Sequence, residues 1–276
     1  MKFYSGLKNC IEAFVHFAIK IKRKSTRGNG ISGKANFRSQ YVESESKAFA
    51  SAPFFNHIVI DNFLPENYAH KILREFPDIG SPIWLDWKRR SASQYGKQGI
   101  GNADKLYCIS EKLRFILFEF NSSVFINYLE ALTGIKGLIP DPHFSGGGMH
   151  QIVNGGILDV HTDFNKHEKL GLYRVLNILI YFNKSWNEDC GGCLELFNDN
   201  PMKGGQVFAK IPPLFNRAVA FRTDKKSFHG HPQQWMHPAD LTRKSIALYY
   251  YVSRPLDQGL YDNKTDFVGL VSKTQL

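Results

Sequence analysis

Residues 158–165 read LDVHTDFN, and this stretch decides the fold because it sets two metal-binding side chains on one predicted strand. The apolar Leu158 and Val160 predict a β-strand, on which side chains two positions apart point to the same face. His161 and Asp163 therefore present an imidazole and a carboxylate side by side. Alone, the pattern H-x-D occurs by chance in many proteins, so a metal site here requires a third ligand.

The composition is that of a folded globular protein with a basic N-terminal arm. The 276 residues are 43% hydrophobic and 22% charged, which is enough to bury a sizeable core in one or two domains. Residues 1–50 hold ten Lys or Arg and three Glu, and so carry most of the formal net charge of +10. The rest of the chain is nearly balanced in charge and has no basic-aromatic motif, so nucleic-acid binding is not expected.

Four cysteines, Cys10, Cys108, Cys190 and Cys193, are too few and too scattered for a disulfide framework. Cys190 and Cys193 flank two glycines, and no second pair completes a zinc site, so we interpret them as reduced thiols at a glycine-rich turn. A reducing, cytoplasmic compartment is therefore predicted. No run of 18 apolar residues could span a membrane, and the basic KIKRK after residues 10–19 does not fit a signal peptide.

The chain is predicted to consist of a basic, partly disordered arm (1–52) and a single domain (53–276). Residues 25–40 are rich in Gly, Ser and basic side chains, which is typical of a linker. Residues 1–24 show a weak amphipathic pattern with a basic tail. This pattern leaves open a contact with an anionic membrane surface or a partner, or a solvated leader.

The domain begins with helices and continues with short strands. A strand over 57–60 leads into a helix that Pro65 opens and Pro77 closes, and a second helix is predicted over 110–132. A long loop is predicted over 81–104. Further strands are predicted over 149–153, 157–162, 173–182, 193–197, 206–211, 217–222 and 245–252. Helical support (53–136), a strand core (137–256) and a C-terminal tail (257–276) predict an α+β, mainly β fold, with helices packed on a sandwich or barrel.

The third metal ligand must come from elsewhere in the sheet, and four later histidines are candidates. His167 lies in a polar loop too close to the first pair, and His237 lies in the loop-like stretch WMHPAD. His229 and His231 follow the apolar strand RAVAFRT, and either could end that strand and reach the metal. Two histidines and one carboxylate would hold iron by one face and leave the other face open. The residues alone leave both His229 and His231 possible.

An arginine and a serine downstream strengthen the pattern. Arg243 and Ser245, in TRKSIALYYY, share one face of a predicted strand, opposite to Lys244. A buried guanidinium can hold a carboxylate through two parallel hydrogen bonds, and a hydroxyl adds one more. This pair could anchor the distal carboxylate of 2-oxoglutarate, although a surface ion pair is the commoner fate of an arginine.

Taken in order, these elements resemble the iron(II)/2-oxoglutarate-dependent oxygenases, and among them the prolyl 4-hydroxylase-like branch. The resemblance runs from about Gly146 to Val252. It rests on the stretches GGILDVHTDFN, YRVLNILIYFNKSW, CGGCLELF, IPPLFNRAVAFRT, SFHGHP and TRKSIALYYY. It implies a double-stranded β-helix, a jelly roll related to the cupins, with bracing N-terminal helices.

The resemblance also implies a set of site residues. His161, Asp163 and His229 match the iron ligands, and Arg243 matches the residue that pairs with the far carboxylate of 2-oxoglutarate. Tyr181 falls where these enzymes often place a tyrosine that hydrogen-bonds 2-oxoglutarate. The gap from His229 to Arg243 is longer than in the shortest family members, and we interpret it as a longer loop.

The implied function is that of a non-haem iron(II) dioxygenase, which couples oxidative decarboxylation of 2-oxoglutarate to hydroxylation of a substrate. Asp163 favours hydroxylation, because related halogenases lack a carboxylate at that position. The expected substrate is a small molecule or a peptide that presents a prolyl or other amino-acid side chain, with dioxygen as cosubstrate and ascorbate as reductant. Two alternatives remain: a cupin-type metal dioxygenase or isomerase that does not use 2-oxoglutarate, and a non-catalytic barrel that serves as a binding module.

Overall fold

The computed structural model describes residues 30–31, 37–86, 92–100, 111–239, 241–256 and 264–271. These ranges contain four α-helices: α1 (Val42–Ser51), α2 (Glu66–Arg74), α3 (Glu111–Glu119) and α4 (Ser123–Thr133). No helix in the described ranges is long and apolar enough to cross a membrane.

The strands of the described ranges form two antiparallel sheets. In chain order they are β1 (His57–Ile60), β2 (Leu85–Asp86), β3 (Lys97–Gly99), β4 (Ile139–Pro140), β5 (Gly148–Ile152), β6 (Gly156–Thr162), β7 (Tyr173–Tyr181), β8 (Leu194–Phe197), β9 (Val207–Ile211), β10 (Ala218–Arg222), β11 (His229–Trp235), β12 (Arg243–Val252) and β13 (Asp266–Phe267). The larger sheet has the order β1-β10-β7-β12-β5-β3-β2, and β4 pairs with β12. The smaller sheet has the order β13-β6-β11-β8-β9.

Alternation along the central strand β7 explains how the layers assemble. Leu176, Ile178 and Ile180 point to one side and join the main hydrophobic core, which also holds the buried faces of the four helices. Asn177 and Leu179 point to the other side and line a cavity next to the smaller sheet. The larger sheet is therefore apolar towards the helices and carries polar groups towards the smaller sheet. This is the predicted α+β, mainly β arrangement with bracing helices, and the predicted fold class is confirmed.

The helix predicted over 110–132 is in fact two helices. Between α3 and α4, Ser122 has an extended backbone (φ −72°, ψ 152°), and its side chain accepts a hydrogen bond from the backbone N–H of Phe125 at 3.4 Å. Ser122 is thus the N-cap of α4. Apolar residues such as Leu117 and Phe120 keep the helical spacing up to the break, so periodicity alone could not locate it.

The folded part of the chain begins earlier than the predicted boundary at residue 53. Helix α1 lies before that residue and buries Phe49 in the main core, and Phe37 joins the same core. The predicted arm of residues 1–52 therefore includes part of the helical support. The predicted amphipathic segment 1–24 lies outside the described residues.

Strands β3 and β13 extend the sheets where a loop and a tail are predicted. In the predicted loop 81–104, β3 pairs with β5, so that Gly99 lies opposite His150. In the predicted tail 257–276, β13 pairs with β6, so that Phe267 lies opposite His161. Strands of two or three residues are too short for an alternation pattern to reveal. Both contribute to the cavity between the sheets.

Candidate metal centre

The two strands that carry ligand candidates, the predicted β6 and the unpredicted β11, pair with each other in the smaller sheet. His229 on β11 lies opposite His161 on β6, and Asp163 follows β6 directly. One ligand atom from each of these three side chains lies within 4.8 Å of the other two. The three side chains line a cavity of about 190 Å³. The structure therefore brings together the histidine pair and the carboxylate that the sequence suggested.

Hydrogen bonds to the backbone fix which nitrogen of each histidine faces the cavity. Nδ1 of His161 is 2.8 Å from the carbonyl oxygen of Asp159, and Nδ1 of His229 is 2.9 Å from that of Ser227. Because a carbonyl oxygen only accepts, each Nδ1 donates its proton, which leaves the lone pair on Nε2 to face inward. The Nε2 atoms of His161 and His229 lie 3.7 and 3.5 Å from carboxylate oxygens of Asp163.

Three acceptors that converge in this way suit a metal cation. Burial is the main cause that lowers the pKa of His229 to about 4, so this imidazole is neutral at pH 7, the form that binds a metal. Two neutral imidazoles and one carboxylate on one side of an ion form the donor set of non-haem iron(II) oxygenases. The donor set present here thus fits iron(II).

Asp163 is held in place by two side chains from β7. Arg174 Nη2 donates to Asp163 Oδ2 at 2.9 Å, and Asn177 Nδ2 donates to the same oxygen at 2.6 Å. Arg174 Nε also donates to Asn177 Oδ1 at 2.8 Å, so the three side chains form one network. Burial is the largest influence and would raise the pKa of Asp163, but Arg174 and the neighbouring His229 and His161 together hold the pKa well below its usual value. Asp163 is therefore ionised, and its Oδ2 accepts both hydrogen bonds.

The other predicted candidates lie outside this cluster. His231 lies further along β11, where its Nδ1 accepts the backbone N–H of Leu158 at 3.2 Å. His167 lies within hydrogen-bonding distance of Asp141, at 3.2 Å, and His237 stacks on Trp235. The expectation that the third ligand ends a strand before a turn is wrong, because His229 begins β11 and the preceding strand β10 ends seven residues earlier in the chain, at Arg222.

At the other end of the cavity lies a second buried arginine. Arg243, on β12, is 4% exposed, and its Nε donates to the carbonyl oxygen of Gly192 at 2.7 Å. It forms no ion pair with any carboxylate of the described residues. Ser245, two positions further on, lines the same cavity. A buried guanidinium without an acidic partner can bind an incoming carboxylate.

Tyr181 lies beside this arginine, next to the residues that line the cavity. Its ring centroid is 4.9 Å from Cζ of Arg243, and the ring packs in a small apolar cluster with Leu194 and Leu196. The Tyr181 hydroxyl is buried and has no hydrogen-bond partner among the described residues. A buried hydroxyl of this kind next to Arg243 fits a carboxylate bound there, as in the anchor of 2-oxoglutarate.

Comparison with known proteins agrees with this donor set. Residues 147–251, which include the three converging side chains and Arg243, match the model of the 2OG-Fe(II) oxygenase superfamily. This segment is a 2OG-Fe(II) oxygenase domain. The oxygenase uses iron(II) and 2-oxoglutarate, as the sequence predicted, and the predicted enzyme class is confirmed.

Solved structures show the same fold. A prolyl hydroxylase from Trichoplax adhaerens, in complex with a hypoxia inducible factor oxygen degradation domain peptide fragment, has a TM-score of 0.56 and 19% identity over 80% of this chain and 94% of that chain. A prolyl 4-hydroxylase from Phytophthora capsici has a TM-score of 0.51 and 16% identity over 83% of this chain and 69% of that chain. The oxygenase is therefore similar in fold to prolyl hydroxylases.

The sequence did not reveal several residues that line the cavity of the oxygenase. Lys97 on β3 reaches the cavity, where burial is the main cause that lowers its pKa to about 8 and nearby Asp163 opposes this shift. Phe267 on β13 packs against His161, with ring centroids 5.0 Å apart. Arg174 and Asn177, on β7, also line the cavity and were not predicted. A single arginine in the apolar strand YRVLNILIYF was the one available signal, because a buried guanidinium requires an acidic partner.

Proposed function

We propose that this oxygenase hydroxylates a prolyl or other amino-acid side chain, with iron(II) held by His161, Asp163 and His229. The observation that carries the proposal is the convergence of these three ligand atoms in the same cavity as Arg243. A buried arginine without an acid among the described residues has an obvious role in an enzyme that binds 2-oxoglutarate. A cupin-type metal enzyme without that cosubstrate would leave Arg243 without a ligand, and a binding module has no need of the three metal-binding groups.

The chain's own residues would prepare the site in two ways. The backbone carbonyls of Asp159 and Ser227 orient the two imidazoles, and Arg174 and Asn177 orient the carboxylate, so the ligands are preorganised. When bound, iron(II) supplies the activation of dioxygen and the oxidative decarboxylation of 2-oxoglutarate.

The second part of the site would bind the cosubstrate. Arg243 would donate to the distal carboxylate of 2-oxoglutarate, with the hydroxyls of Ser245 and Tyr181 as further donors. Leu179 and Leu194 line the same cavity and limit the access of water to it. The two arginines then have separate roles, since Arg174 already binds Asp163.

The amino-acid substrate rests on similarity of fold to prolyl hydroxylases, one of which was solved with a peptide. Similarity of fold does not identify a substrate. The prolyl target is therefore a proposal, and it takes the oxygenase class as its premise. We expect ascorbate to sustain turnover as the reductant. A cytoplasmic location remains a prediction from the cysteine content.

An anaerobic titration tests the site assignment without a known substrate. Iron(II) and then 2-oxoglutarate are added to the protein, and the weak visible absorption band of bound 2-oxoglutarate is recorded. We expect the band in the wild type and in His237→Ala, and its loss in His229→Ala. We expect Arg243→Ala to require far more 2-oxoglutarate. A band that survives in His229→Ala but disappears in His231→Ala would assign the third ligand to His231 instead.

The hydroxylation itself is tested by succinate release. Proline-containing peptides and free amino acids are added to the iron-loaded protein. The amount of succinate formed is compared with the amount of product that has gained one oxygen atom (about 16 Da). Succinate that matches hydroxylated product supports the proposal. If no amino-acid compound is modified while the absorption band forms normally, the cosubstrate site stands and the amino-acid substrate is wrong.

A further inference from the structure

A wider cavity, which we call the lysine groove, opens beside the metal centre. Its volume is about 660 Å³, compared with about 190 Å³ for the metal-centre cavity. Lys166, Lys169 and Lys264 line it, and Glu168 is its one acidic residue among the described residues. The space outside the metal centre is thus larger than the space inside it, and lysines outnumber acidic residues in its lining.

The lysine groove and the metal-centre cavity lie next to each other. Gly146, Phe164 and Thr265 line both of them, and Phe164 directly follows Asp163 in the chain. Phe164 therefore lies on the boundary between the groove and the metal centre. A free amino acid would occupy only the inner cavity, whereas a longer chain would occupy both.

The groove is built on a loop whose backbone is fixed. Nδ1 of His167 accepts the backbone N–H groups of Lys169 and Leu170 at 3.2 Å, and Nε2 of His167 lies 3.2 Å from Asp141 Oδ1. His167 is 2% exposed, so it fastens this loop from beneath. Lys166 and Lys169, on either side of His167, are consequently held at defined positions along the groove wall.

We propose that the lysine groove binds an acidic peptide segment next to the residue that enters the metal centre. The inference rests on the proposed function, since it assumes that an amino-acid side chain is hydroxylated. Carboxylate side chains on the segment would pair with Lys169 and Lys264, the two exposed lysines of the groove. Because Lys169 and Lys264 are exposed, these pairs are weak one by one and sensitive to salt, and they act mainly together, on specificity and on the rate of association.

Peptide binding tests the proposal by a measurement that needs no turnover. The probes are two fluorescein-labelled nonapeptides with a central proline, one flanked by glutamates and the other by glutamines. Fluorescence anisotropy is measured with the full chain, loaded anaerobically with iron(II) and 2-oxoglutarate. We expect the glutamate peptide to bind roughly tenfold more tightly at low salt, and this preference to fade as salt is added.

Two matched triple variants separate the groove from the overall positive charge of the chain. The groove variant replaces Lys166, Lys169 and Lys264 by Gln. The control variant removes the same charge by replacing with Gln three exposed lysines that do not line either cavity: Lys136, Lys203 and Lys225. We expect the groove variant to lose the preference for the glutamate peptide and the control variant to keep it. Equal effects of the two triple variants would overturn the proposal.

Three further outcomes are decisive. If an oligogalacturonate binds in a manner that depends on the groove lysines while the glutamate peptide does not, the groove recognises an anionic glycan and the peptide proposal is wrong. If the absorption band of bound 2-oxoglutarate is absent but the glutamate peptide still binds in the groove, the proposed function fails while the groove assignment stands. If the band forms and neither peptide is preferred, the groove assignment alone fails.

Discussion

The two buried arginines of the cavity, Arg174 on β7 and Arg243 on β12, differ in what the protein gives them to bind. The two strands are neighbours in the larger sheet, and the side chains are 1% and 4% exposed. Arg174 pairs with Asp163 at 2.9 Å and its guanidinium lies over the ring of Tyr249. Arg243 donates to the carbonyl oxygen of Gly192 and pairs with no carboxylate in the described ranges.

This difference separates a structural cation from a ligand-binding cation. Burying a charge without an opposite charge is unfavourable, so a folded protein pairs it unless a ligand completes the pair. Arg174 is neutralised as the chain folds, and it positions a metal ligand. Arg243 keeps its charge available in a cavity where an anionic cosubstrate binds. Loss of the ion pair between Arg174 and Asp163 should therefore lower the stability of the protein. Loss of Arg243 should instead lower the affinity for 2-oxoglutarate without lowering stability.

The largest effect is expected from Asp163→Ala, which removes a proposed metal ligand and leaves Arg174 buried without its acid. We expect loss of iron binding and of succinate formation, and a fall in the free energy of unfolding of roughly 3–5 kcal/mol. Iron content, succinate release and urea unfolding measure these effects. The control is Asp61→Ala, which breaks an exposed pair with Arg217 and should lower stability by about 1 kcal/mol or less. Turnover that survives in Asp163→Ala would refute the ligand assignment.

Arg243→Met should separate affinity from stability. Removal of the charge-assisted hydrogen bonds should raise the Kd for 2-oxoglutarate roughly a hundredfold. The free energy of unfolding without ligand should stay the same or rise, because a buried cation without an acid is replaced by an apolar side chain. Anaerobic titration and urea unfolding give the two values. Destabilisation as large as that of Asp163→Ala would mean that Arg243 has a structural partner.

Arg174→Met should lower the stability of the protein, unlike Arg243→Met, and should have a smaller effect on ligand binding. Loss of the residue that orients Asp163 should weaken iron(II) binding about 10- to 100-fold, the usual range for residues that support a metal ligand. The protein without metal should be destabilised more than the iron-loaded protein, because bound iron(II) compensates the buried carboxylate charge. Unfolding curves with and without iron(II) test this. Equal destabilisation in both states would show that Arg174 acts only through packing on Tyr249.

The sequence predicted the metal ligands of this site better than the residues that hold those ligands in place. Strand alternation was enough to pair His161 with Asp163, and the apolar strands indicated the two-sheet fold. His229 and His231 could not be separated, because both lie on one strand and only the pairing of β11 with β6 sets His229 opposite His161. That register depends on contacts between distant parts of the chain, which no local pattern encodes.

The residues that support the ligands were missed for a related reason. Arg174 and Asn177 lie within an apolar strand, and their partner Asp163 is reached only through the fold. Lys97 and Phe267 lie on strands of three and two residues, which are formed by pairing with β5 and β6 and not by their own periodicity. The length of an element thus limits what its sequence can show.

The smallest expected effect belongs to Tyr181→Phe, and it isolates a single hydroxyl beside Arg243. Because this buried hydroxyl has no partner in the described residues, its removal should leave the stability of the ligand-free protein unchanged or slightly higher. If the hydroxyl donates to bound 2-oxoglutarate, the Kd should rise by roughly tenfold or less. Tyr250→Phe is the matched control, since the Tyr250 hydroxyl donates to the carbonyl oxygen of Phe120 at 2.9 Å in the helix-facing core. The Tyr250→Phe variant should lose about 1 kcal/mol of stability and bind 2-oxoglutarate normally. An unchanged Kd for 2-oxoglutarate in Tyr181→Phe would remove Tyr181 from the cosubstrate site and leave the anchor to Arg243 and Ser245.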